Sequence, residues 1–122
     1  MAMTEVLGQA AVVLRTADGA EATVLLHGAH VVSWRPAGLP EQLYLSPRAQ
    51  AGPGQAVRGG IPVIFPQFER RGPLPRHGFA RDRAWTLVEH GPQRQHAQAV
   101  LRLTDTDATR AVWPHAFEAE LT

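Results

Sequence analysis

Glycine and proline break this chain into short pieces: 11 glycines and 10 prolines are spread through 122 residues. The apolar residues between them come in runs too short to make the buried stripe of a long helix. Ala11 to Leu14, Ala22 to Leu26 and His30 to Trp34 are rich in valine, and Asp18-Gly19 and Gly28 separate them. Branched side chains suit a pleated surface, and Asp-Gly supplies the positive φ of a tight hairpin, so the first part of the chain reads as a β-meander. Met1 to Ala10 gives no firm signal beyond a short polar entry. Leu39-Pro40-Glu41 breaks the pattern, Leu43-Tyr44-Leu45 offers one more short strand, and Ala49 to Gln55 is a loop of glycine, proline and alanine.

Strand signals resume at Ala84 to Glu89. Ala97, Ala99, Leu101 and Leu103 then alternate with Gln98 and Arg102, the period of two expected of a strand with one face on a core, although Val100 interrupts the polar side. Asp105 to Asp107 turns the chain, Trp113-Pro114 makes a corner, and Phe117 to Leu121 starts another strand. No stretch of ten residues carries a convincing 3.6-residue period. The class implied is all-β, with antiparallel strands spaced as in a sandwich or barrel, and residues 1–122 forming a single domain.

Composition narrows the function. All 12 basic residues are arginine and 11 acids nearly balance them, for a formal charge of +1. That is too little for a nucleic-acid-binding face. With no cysteine there is no disulfide or thiol chemistry, which fits a reducing compartment. No apolar run approaches the roughly 20 residues that cross a bilayer, and no secretory leader opens the chain, so a soluble cytoplasmic protein is expected.

Against this neutral background, residues 58–81 stand out: RGGIPVIFPQFERRGPLPRHGFAR. Arg58, Arg70, Arg71, Arg76, Arg81 and the neighbouring Arg83 face only Glu69 and Asp82. Ile61, Val63, Ile64 and Phe65 lie around Pro62 and Pro66, which favours a short strand or an extended buried loop over a helix. The arginines would then sit at the ends of a rigid buried segment. Their planar forks match phosphate or carboxylate, and a stiff backbone loses little entropy on binding. The plainer alternative is that Gly59-Gly60 and Gly72-Pro73 are turns and the arginines solvated charges.

Other candidates are weaker in chemistry. His27 and His30 are three apart and His90 and His96 six apart, with no helix to bring either pair onto one face and no cysteine to help, so no metal site is expected. Trp34, Trp85 and Trp113 could stack on a sugar but more often pack a sandwich core or edge.

Arg58-Gly59-Gly60-Ile61-Pro62, Phe65-Pro66 and Pro75-Arg76-His77-Gly78-Phe79-Ala80-Arg81, together with Trp85 and Ala108 to Phe117, resemble the signature of the D-hexose-6-phosphate mutarotases, or glucose-6-phosphate 1-epimerases, within the aldose 1-epimerase-like superfamily. The resemblance runs from about Gly28 onward. It implies one large antiparallel β-sandwich of the galactose-mutarotase-like type, much longer than this chain, of which residues 1–122 look like the N-terminal part. It also implies interconversion of the α and β anomers of a hexose 6-phosphate, without cofactor. On that resemblance Arg58 and Arg81 contact the sugar phosphate, Arg76 stands where relatives commonly carry glutamine, also on the substrate side, and His77 joins them as a substrate-binding candidate. The family's glutamate base and histidine acid would follow Thr122.

No catalytic residue is assignable within the chain. His77, beside Arg76, is the candidate, and its alternative is to hydrogen-bond backbone and hold the loop for Arg76 and Arg81. Glu69, flanked by Arg70 and Arg71, reads as an ion pair before a base. Two functions stand side by side: the phosphosugar-binding half of a mutarotase, or a non-catalytic phosphosugar-binding β module or inactive fragment. Because a sandwich cut at Thr122 would leave edges unpaired and a sheet face bare, the chain is expected to self-associate and to be inactive alone.

Overall fold

The structure, a computed structural model, describes residues 2–93 and 96–122, with side chains described outside residues 89–96. Strands β1 (Ala2–Val6), β2 (Gln9–Arg15), β3 (Glu21–Leu25) and β4 (His30–Arg35) pair in that order as an antiparallel meander. Strands β5 (Thr86–Gln93), β6 (His96–Thr104) and β7 (Glu118–Leu121) form a second antiparallel sheet. The all-β class is as the sequence implies. Among the described residues no helix is long and apolar enough to cross a membrane.

Strand β2 is continuously apolar because both of its faces are covered. Val12 joins Val24, Trp85, Ala99, Leu101 and Leu103 in the core between the sheets, while Ala11 joins Leu25, Val32, Ala49 and Val57 on the opposite face, under the loop that follows β4. Burying a valine or leucine contributes about 1.5–3 kcal/mol, so these two clusters hold the meander from both sides. The sheets make their closest contact between β2 and β6. Beside that contact they part, leaving an apolar cleft of about 400 Å³ lined by Leu14, Val24, Val31, Ala99, Leu101 and Leu121.

Four local expectations are corrected. Residues 2–6, where no signal was read, form β1, an edge strand whose residues are mostly exposed and which is ordered by pairing Ala2–Val6 with Gln9–Val13. Its turn, Leu7-Gly8, has positive φ at both residues, 54° and 74°, a geometry that leucine does not advertise. Leu43 to Leu45 is no strand. Leu45 alone bridges Gly59, and the Glu41 carboxylate accepts the Trp34 and Leu43 amides at 2.8 and 3.0 Å, so a side chain replaces a ladder there.

The turn at Asp105 to Asp107 opens instead into a helix, α1 (Asp107–Val112). Thr106 and Thr109 cap it reciprocally, each hydroxyl accepting the other's backbone N–H, at 3.2 and 2.8 Å. Trp113 is the C-cap of this helix. Finally, residues 61–65 are less buried than a rigid core segment would be: Ile61 is 52% exposed, and the stretch is tied by single bridges, Val31 to Ile61 and Phe65 to Gly78.

Candidate functional site

The signature segment is assembled on the tip of the β3–β4 hairpin, residues 26–30. On one side the tip bonds backbone to backbone with residues 83–85: Gly28 N–H donates to the Arg83 carbonyl (2.7 Å) and Trp85 N–H to the Leu26 carbonyl (2.9 Å). This approach requires glycine at 28, where φ is +76° and a Cβ would fall 2.4 Å from the Arg81 carbonyl oxygen. Trp85 is then buried, its indole N–H donating to the Ala80 carbonyl at 2.9 Å, and so belongs to the core.

On the other side two buried rings reach outward. His27 Nε2 bonds the Gln55 carbonyl, and His30 Nε2 bonds the Gly59 carbonyl. A carbonyl accepts, so each Nε2 carries the proton. Burial pushes the His30 imidazolium pKa down, against the pull of the Gly59 carbonyl, and the charges of His27 and Arg81 lower it further. The ring is therefore neutral at neutral pH, and its Nδ1 is buried without a partner among the described residues. The two histidines clamp loop 52–60 onto the hairpin. No cluster of three metal-ligating residues occurs among the described residues. The side chains of His90 and His96 lie outside the described residues.

The second loop, 67–77, is held from within by Gln67. This residue is only 8% exposed, and its Nε2 donates to the carbonyls of Glu69, Leu74 and Pro75 at 2.8, 3.0 and 3.3 Å. Its Oε1 accepts Leu74 N–H at 2.9 Å. The loop's ends are clasped reciprocally: His77 N–H donates to the Glu69 carbonyl and Glu69 N–H donates to His77 Nδ1, both at 2.9 Å. Both residues have left-handed backbone, φ 53° and 66°, which the clasp holds in place.

Residues Arg76, His77 and Arg81 come together here, with Glu69. The Glu69 carboxylate accepts from Arg76 Nε at 3.0 Å and lies 3.8 Å from His77 Nε2, while Arg81 Nη2 donates to the Arg76 carbonyl at 3.2 Å. With Nδ1 already accepting a backbone N–H, the neutral His77 ring carries its proton on Nε2. In this geometry it can donate a proton but cannot take one, and its visible work is to hold the loop. Arg58 is not bonded to this group. It lies across the hairpin, exposed, in a cleft with Arg48. What links the two arms is the hairpin tip, together with Gly54 N–H, which donates to the Asp82 carbonyl at 3.3 Å.

The ion-pair pattern sets Arg58 and Arg81 apart from Arg76 and from most other arginines. Arg15, Arg35, Arg76, Arg83, Arg102 and Arg110 each have a carboxylate partner. Arg48, Arg58, Arg70, Arg71 and Arg81 pair with no carboxylate among the described residues, and all but Arg48 come from the signature segment. Of the tryptophans, Trp34 is exposed at the end of β4, and Trp113 packs edge-on against Phe65 and Phe79. Sequence reasoning missed Gln67 and the clamping role of His27 and His30. A histidine at each end of a hairpin tip, with Gly-Ala between, was the available signal.

Comparison with known proteins bears on this arrangement. The aldose 1-epimerase family model matches residues 10–122. An Escherichia coli K12 protein named "Putative glucose-6-phosphate 1-epimerase" is 42% identical over 102 residues, which cover 80% of this chain and 34% of that protein. A protein of the same name from Cenchrus ciliaris is 38% identical over 117 residues, 90% of this chain and 35% of its own length. The crystal structure of a "putative mutarotase" from Salmonella typhimurium superposes with a TM-score of 0.84 at 34% identity, over 95% of this chain and 40% of that one. The chain thus spans about a third of the length of the curated relatives it matches, and its two sheets are a portion of their sandwich. It belongs to the aldose 1-epimerase family.

Proposed function

We propose that residues 1–122 form the N-terminal, sugar-phosphate-binding part of a hexose-6-phosphate 1-epimerase. The observation that carries this is a set of arginines: in a chain with nearly as many acids as bases, the five that pair with no carboxylate among the described residues include four, Arg58, Arg70, Arg71 and Arg81, from the motif that resembles the mutarotase signature. Arg58, Arg76 and Arg81 bind substrate on this reading, with Arg76 drawn from Glu69 toward the sugar, and His77 positions the loop. Anomerisation needs a base to remove the proton of the anomeric hydroxyl and an acid to protonate the ring oxygen. The ring opens, the C1–C2 bond rotates, and O5 adds to the other face of the C1 carbonyl, its proton returning to the acid group as the base returns the first proton to O1. Those two groups belong to the remainder of the longer protein, so the chain alone binds without catalysing.

Titration of the chain with glucose 6-phosphate and with glucose tests the binding half. Arg81→Ala removes a charge-assisted contact worth roughly 1.5–3 kcal/mol and should weaken the phosphorylated sugar far more than the free one; equal losses for both would overturn the reading. Polarimetry on glucose 6-phosphate tests the other half, because catalysis by the 122-residue chain would make His77 or Glu69 a reacting group.

The apolar cleft between the sheets, and the free edges of β5 and β7, support self-association of the isolated chain. Light scattering that finds a well-folded monomer at high concentration would refute this.

A further inference from the structure

Arg48 lies ten residues before the signature segment, and neither the motif resemblance nor the family match assigns it a role. The fold brings it to Arg58. Leu45 bridges Gly59 and Ser46 N–H donates to the Arg58 carbonyl at 3.0 Å, so the stretches 45–48 and 55–59 run antiparallel. Each is anchored beneath by a buried residue, Ala49 in one case and Val57 in the other, both in the cluster under the first sheet. The Arg48 backbone is fixed in its turn as well: its N–H donates to Ser46 Oγ at 3.1 Å, and Ala49 N–H donates to the Ser46 carbonyl at 3.0 Å.

These two stiff segments enclose a cleft of about 360 Å³ lined by Arg48, Gln50, Gly54, Gln55, Ala56 and Arg58. It holds two guanidiniums and two side-chain amides and no carboxylate, and neither arginine has an ion-pair partner among the described residues. Like charges brought into one cleft repel unless an anion lies between them, and two planar forks on a rigid frame match the several oxygens of a phosphate monoester. The far rim is Gly54, bonded to the Asp82 carbonyl beside Arg81.

We propose that Arg48 is a further phosphate-holding residue, which joins Arg58 in this cleft and adds to the preference for phosphorylated over free sugar. The inference rests on the binding function proposed above.

It is tested by NMR titration of the chain with glucose 6-phosphate and with glucose, for wild type, Arg48→Gln, Arg48→Lys and Arg58→Gln. Both positions are exposed, so the variants should keep the wild-type spectrum away from the cleft. The ratio of the two affinities is expected to fall roughly tenfold to a hundredfold in Arg48→Gln, the loss of one charge-assisted contact. It should fall by a similar factor in Arg58→Gln, and less in Arg48→Lys, which keeps the charge but loses the fork. An unchanged ratio in Arg48→Gln beside a reduced one in Arg58→Gln would overturn the role of Arg48 and leave the proposed function standing. A wild-type chain that binds glucose 6-phosphate no better than glucose would overturn both.

Discussion

The two loops that present the arginines are held by opposite means. Loop 52–60 is pinned from outside: the rings of His27 and His30 reach it from the hairpin, and Gly59 and Gly60 press against neighbouring backbone. Loop 67–77 is organised from inside, around the single amide of Gln67 and the clasp of Glu69 with His77. The first loop shares its supports with the hydrophobic core, so its position is as stable as the sheet. The second is a local unit whose support is polar and whose carboxylate, on Glu69, is accessible. A binding surface built from both has a fixed side and a separately adjustable side, and this difference can be broken from either direction.

The largest effect is expected from Gly60→Ala. At φ +63° its Cβ would lie 2.2 Å from the Val31 carbonyl oxygen and 3.0 Å from the His30 ring, so backbone must move, at a cost above about 3 kcal/mol. Gly54→Ala in the same loop also has positive φ but meets nothing within 4 Å, and should cost about 1–2 kcal/mol. Thermal denaturation of the pair measures the contrast, and equal losses would mean that loop 52–60 is not rigidly docked.

His30→Gln comes next, with a loss of about 1–3 kcal/mol for a buried hydrogen-bonding ring and a change in pH dependence. Because the folded state holds the His30 pKa below its ordinary value, the unfolded chain binds the proton first as pH falls. Stability is therefore full above the ordinary histidine pKa of about 6.5 and declines as pH drops below it. Denaturant titrations between about pH 7 and pH 5 should show that decline in the wild type and a flatter profile in the variant. A profile unchanged by the substitution would mean that His30 is not the buried neutral group.

Gln67→Leu should cost about 1–3 kcal/mol and have the most local effect. Leu74 N–H and the Leu74 carbonyl lose their partner, and the Glu69 and Pro75 carbonyls keep only their backbone donors, so amide exchange within 69–77 should accelerate while Gly60 and Ile61 exchange as before. Acceleration in both loops would show that they form one unit and would dissolve the comparison.

Much of this was legible in residue order, and the reasons are local. Short valine runs, Asp18-Gly19 and the absence of any long 3.6-residue period determine strands by backbone sterics and side-chain alternation alone, and the density of arginine and glycine marks residues 58–81 whatever the fold. Strand β1 escaped because its order comes from pairing with β2, and α1 because a six-residue helix depends on its Thr106–Thr109 caps more than on a periodic face. The site divides the same way. That Arg58, Arg76, His77 and Arg81 belong to the two motif blocks could be read from residue order. That Arg76 and His77 meet at Glu69, that Arg58 shares a cleft with Arg48, and that two hairpin histidines and one buried glutamine hold the loops could not, because those arrangements join distant or irregular segments. Such contacts carry no periodicity, and they exist only once the sheets have brought the loops together.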